Sequence, residues 1–254
     1  MGPREHMKKF VACLVFLCVP STAPVGARQA PSSAAWKVRS TNHFDLYYRV
    51  QHQADLDAVA GEAERAYARV SLDLNHQLAE KVPLIVVQTP RELPQDERQA
   101  ADIVRASGAP DRHHLLLSIE PRRERGTTLA HELTHQFAWE IVPLSSEAPA
   151  WIYEAVCDHE AGTWTAADLS TLRKSIAAGV IPTVASLAAS DRPWGHAVFD
   201  FIASEYGKEA IRRYLIAVNN PEVRVDSARV AFGIEAGDFD RAFQMYARTR
   251  FSAR

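Results

Sequence analysis

Residues His131-Glu132-Leu133-Thr134-His135 set two imidazoles four positions apart with a carboxylate beside the first. Each residue of an α-helix advances by about 100°, so positions i and i+4 lie roughly 40° apart on one face. On a helix, His131 and His135 can therefore aim both rings at one point. Glu132 falls on the flank of that face, where its carboxylate reaches a water held by a cation without ligating the cation. Zinc accepts neutral imidazole nitrogens at about 2.0–2.1 Å, and a catalytic site needs a third protein ligand with a fourth position left open. The other reading is two surface histidines on an amphipathic helix. What stands downstream separates the two.

Eighteen residues separate His135 from Glu154, which lies inside PAWIYEAVCDHEAG (149–162). Pro149 opens a predicted helix and Gly162 closes it. Glu154 sits in its middle and can complete the ligand set. Asp158, four residues on and on the same face, can accept the other ring N–H of a metal-bound histidine, expected to be His131. Carboxylates in that position fix the tautomer and aim of the ligand. Cys157 lies one turn past Glu154. With two histidines and a glutamate already supplied, it reads as buried packing, with ligation as the alternative.

Strands and helices are divided unevenly along the chain. WKVRST and FDLYYRV (44–50) read as two short strands, the second alternating apolar and polar residues at period two. Leu56, Val59, Ala63, Tyr67, Val70 and Leu74 recur at spacings of three and four, which predicts a long helix over 54–80. VPLIVVQ (82–88) reads as a buried strand, 95–106 as a candidate helix, and HHLLLSIE (113–120) as another strand. After Gly126 nearly everything is helical. Thr165-x-x-Asp168 is a capping box, Gly179 a C-cap, and further helices are expected over 195–207, 208–218 and 238–251. Strands with one helix, then helices alone, predict an α+β fold. Residues 36–126 form the sheet-containing N-terminal half. Residues 127–254 form the active-site helix and helical C-terminal half of the same unit.

The start of the chain reads differently. Arg4, Lys8 and Lys9 precede the apolar run FVACLVFLCV (10–19), and Val25 and Ala27 stand at −3 and −1 of a cleavage point after Ala27. Residues 1–27 are expected to be a secretory signal peptide, followed by a linker over 28–35. The alternative is an uncleaved anchor, although the apolar run falls short of the roughly 20 residues that span a bilayer. Export is therefore expected, to the periplasm or the exterior, with no stable membrane span after cleavage. The whole chain carries 29 basic and 31 acidic side chains, a net charge of −2. Removing 1–27 takes three of the former and one of the latter, leaving 26 and 30, or −4. No basic block suggests a nucleic-acid partner. Cys13 and Cys18 would leave with the signal, so Cys157 would have no disulfide partner within the chain.

HELTHQ, followed at this distance by PAWIYEAVCD, resembles the gluzincin metallopeptidases, and in particular the peptidase MA-like domain proteins. The likeness extends to NHFDLYYR (42–49), the long helix after it and GHAVFDFIASEYGKEAIRRYL (195–215), most of the chain beyond residue 35. Those proteins read Trp-x-x-Glu-Gly where this chain has Trp151, Glu154 and Ala155. The alanine puts a methyl beside the ligand where the family has none.

The resemblance implies a zincin-like fold, a small twisted sheet over the active-site helix with a helical half closing the cleft. It implies Zn2+ as cofactor and hydrolysis of a peptide or protein substrate, with the metal held by His131, His135 and Glu154 and with Glu132 as general base. It also implies an oxyanion donor from the helical half, for which His196 is the candidate; capping or packing against Trp194 is the other reading of that residue. In zincins the strand equivalent to 113–120 is a sheet edge where an extended peptide pairs, so His113 or His114 could line the cleft. His159 is expected to face solvent, and His43 and Trp36 to be structural. The alternative to a peptidase is a non-catalytic exported domain that keeps zinc for stability or partner binding; a retained Glu132 argues against it, since a structural site needs no base. Oligomeric state does not follow from any of these features.

Overall fold

The computed structural model describes residues 36–92, 114–120, 122–142 and 149–252. The expected signal peptide, the linker, the candidate helix at 95–106 and His113 lie outside the described residues. Strands β1 (Trp36–Ser40), β2 (Phe44–Arg49), β3 (Val82–Val87) and β4 (Leu115–Ser118) form one sheet in the order β1-β2-β3-β4. β1 and β2 pair antiparallel; β2, β3 and β4 run parallel. β4 ends the sheet among the described residues. Among the described residues, eight α-helices complete a mixed α+β fold: α1 (Leu56–Asp73), α2 (Arg122–Ile141), α3 (Ile152–Ala161), α4 (Ala166–Ala177), α5 (Arg192–Tyr206), α6 (Glu209–Asn219), α7 (Ser227–Phe232) and α8 (Ala236–Phe251). None of the described helices is long and apolar enough to cross a membrane.

Side-chain alternation along the strands decides the layers. Phe44, Leu46, Tyr48, Leu84, Val86, Leu115 and Leu117 point to one face and join Val59, Ala63, Tyr67 and Val70 of α1 and Leu129, Leu133 and Phe137 of α2 in the main core. Tyr47 and Ile85 point the other way, with Trp36 and Leu116 packed against them. His43 and Trp36 are structural: His43 Nδ1 lies 2.6 Å from Glu64 Oε2 with its ring stacked on Tyr67, and Arg49 lies over the Trp36 ring. A salt bridge joins α1 to α2 beneath the sheet, where Arg125, 5% exposed, donates two hydrogen bonds to the Glu62 carboxylate.

Two boundaries differ from expectation. α1 stops at Asp73, not near 80, because Asn75 turns into the left-handed region at φ 45°. The Asn75 N–H then reaches Leu72 O and the His76 N–H reaches Ser71 O, a Schellman ending that satisfies the last carbonyls. α2 begins at Arg122, so it runs through Gly126 and spans the boundary drawn between the two halves; the buried Arg125–Glu62 pair holds that first turn in place. The capping box at Thr165 and Asp168 is formed, and Gly162 and Gly179 take the positive φ that ends α3 and α4. α7 escaped notice because six residues are too few to show a helical period.

Candidate metal centre

The apolar residues of α2 decide where its polar face points. Leu129, Ala130, Leu133, Thr134, Phe137 and Ala138 are buried, which leaves His131, Glu132 and His135 half-buried on the flank. α3 lies across that flank and supplies Glu154. One oxygen of its carboxylate is 3.6 Å from His131 Nε2 and the other is 3.5 Å from His135 Nε2. Four ligands bonded at about 2.0–2.1 Å in a tetrahedron stand roughly 3.3 Å from one another. The two histidine–glutamate gaps each lie within a few tenths of an ångström of that spacing. Glu154 Oε2 is also buried without a hydrogen-bond partner among the described residues. The Arg192 guanidinium, 3.2 Å away, is a cation that faces it. Two imidazoles and a carboxylate are donor types that zinc accepts.

Asp158 stands where the helical spacing put it, with Oδ1 3.3 Å from His131 Nδ1. Its other partner is Arg192, in the first turn of α5. The Arg192 guanidinium donates to both Asp158 oxygens and lies 3.2 Å from Glu154 Oε2. Sequence reasoning missed Arg192. Its only signal was a cation four residues before His196 at the start of a helix, and nothing local showed that this helix would cross α3.

The protonation of the cluster follows from these contacts. Burial presses the His131 imidazole down, but Asp158 and Glu154 outweigh it and hold it up at about 9. Burial lowers His135 to about 4, leaving a neutral ring with a free lone pair. Burial raises Glu132 above the ordinary carboxylate range. His131 pulls Glu154 down against the effect of its burial. For Asp158, burial is overcome by Arg192 and His131, and the carboxyl falls to about 2. The imidazolium and the guanidinium thus supply the positive charge that Glu154 and Asp158 require.

Ala155 is fully buried against α5. Its methyl is accommodated because the facing residue is Gly195. A Cβ at Gly195 would stand 2.7 Å from Ala155 Cβ and 3.0 Å from the Trp151 ring. Gly195→Ala is expected to destabilise the fold by about 1–3 kcal/mol, as overpacking does. Adding Ala155→Gly should recover most of that loss. Thermal denaturation of the two single variants and the double variant checks this, and strictly additive losses would reject the contact as the cause.

The other residues singled out in the sequence lie as follows. His196 is buried on α5 with its ring stacked on Trp164, centroids 3.7 Å apart, and not on Trp194. Burial lowers it to about 4, and its neighbours are His159 and Asp200. The fold thus draws it into a second cluster and not onto Glu154. His159 is not solvent-facing: its side chain is 12% exposed, because α3 packs against α5 on that side. Cys157 is fully buried, as expected of packing, yet its sulfur comes within 4.8 Å of ring nitrogens of His131 and His135. Burial pushes its thiol pKa well up, which keeps it protonated. His114 sits just before β4. No protein-family model matches the chain, and no curated protein matches it.

Proposed function

We propose that this chain is an exported zinc-dependent metallopeptidase of the gluzincin type, with a zincin-like arrangement similar to that of peptidase MA-like proteins. The observation that carries the reading is the turn of both Glu154 oxygens toward the two Nε2 atoms of His131 and His135, with Glu132 on the same flank. In this reading His131, His135 and Glu154 hold the metal. Zinc bound there supplies a Lewis acid and lowers the pKa of a coordinated water toward about 7.

The protein's own groups do the rest. Glu132, raised by burial toward the working pH, accepts a proton from the attacking water at its carboxylate and returns it to the leaving amine. Asp158 holds His131 Nδ1 and so aims Nε2. Arg192 anchors Asp158 and Glu154 together from α5 and is the cation beside the cluster, while His196 lies with Trp164. An extended peptide would pair with β4, which offers an edge in the strand before α2.

The direct test is hydrolysis of casein or a fluorogenic peptide by protein purified without chelators. Activity should vanish with 1,10-phenanthroline and return on adding zinc. Activity indifferent to the chelator would reject the proposal, as would protein that takes up no metal.

A further inference from the structure

Asp158 and His159 are consecutive on α3, so their side chains leave the helix about 100° apart. Asp158 turns to His131 on α2, whereas His159 turns to α5. There it meets His196 and Asp200, which are four residues apart and share one helix face, the same i, i+4 device that presents His131 and His135. A ring nitrogen of His159, a ring nitrogen of His196 and a carboxylate oxygen of Asp200 all lie within 4.8 Å of one another. The two imidazoles stand nearly perpendicular, at 80°, and the Trp164 indole lies flat on the outer face of His196.

The His159–Asp200 ion pair accounts for part of this grouping and leaves His196 without a polar partner of its own in it. His159 Nδ1 is 3.4 Å from Asp200 Oδ1, yet it is buried and has no hydrogen-bond partner among the described residues. A buried polar atom without a hydrogen bond opposes folding. His196 is 3% exposed and is held by ring contacts with Trp164 and His159. Two imidazoles and a carboxylate with donor atoms within 4.8 Å of one another form a donor set that suits a borderline divalent cation.

We propose that His159, His196 and Asp200 form a second site for a divalent transition-metal ion, zinc by its ligand chemistry, which ties α3 to α5. None of the three ligands belongs to the centre on α2, so the proposal stands apart from the peptidase reading.

The experiment is a metal count on the full chain, stripped with chelator and dialysed against Co2+ or Zn2+, with the cobalt visible spectrum as a second readout. Wild type is expected to hold two equivalents. Asp200→Ala and Glu154→Gln should each hold one, and the double variant none. Circular dichroism checks that each variant is folded; if Asp200→Ala does not fold, His159→Gln reads the same loss. Asp200→Ala or His159→Gln binding as much metal as wild type would overturn the proposal. So would a single wild-type equivalent that survives Asp200→Ala. A single equivalent lost in Asp200→Ala but kept in Glu154→Gln would uphold this site and remove the metal from the proposed peptidase centre.

Discussion

Glu132→Gln is expected to keep its zinc and to cleave a fluorogenic peptide about 10²–10⁴-fold more slowly than wild type, the range a positioned general base contributes. The substitution preserves shape and removes basicity alone. Glu132 is not one of the three groups that converge, so metal content should stay within error of wild type. Burial raises Glu132 above the usual carboxylate range, which strengthens it as a base near neutral pH. The steady-state rate and the zinc content of the same preparation decide the matter together. A variant that holds zinc and turns over at the wild-type rate would sink the catalytic role and leave the non-catalytic zinc domain as the better account.

His135→Ala should weaken zinc binding at the α2 centre by more than about 100-fold, whereas Asp158→Asn should weaken it by about 10–100-fold, the effect of losing an orienting partner. The ranking follows from position. His135 offers a neutral nitrogen 3.5 Å from a Glu154 oxygen, where the cation would sit, while Asp158 meets the ligand set through the far nitrogen of His131. Measuring both in an Asp200→Ala background, by competition with a chromophoric chelator, reads this centre alone. Equal affinities for the two variants would mean that His135 is not a ligand.

The expectations that held were those carried by short-range periodicity. The strand alternation of Phe44, Leu46 and Tyr48, the capping box at Thr165 and the glycines that end α3 and α4 are local physics, and each appears where its residues predicted it. The i, i+4 pairs behaved the same way: His131 with His135, and Glu154 with Asp158, each share one helix face because 3.6 residues make a turn. The end of α1 was misjudged because the apolar spacing ran on into residues that Asn75 and its Schellman hydrogen bonds turn away.

Residues 131–158 thus hold the ligand candidates, the proposed base and the carboxylate behind His131, all readable from spacing along two helices. Chain order does not encode which helix crosses which. That Arg192 would reach Asp158 and Glu154, that Gly195 would make room for Ala155, and that His159 would turn inward to His196 and Asp200 all depend on the packing of α5 against α3. Such contacts join residues more than 30 positions apart, and the surface two helices bury together selects them, so no window of sequence short enough to show a period contains them.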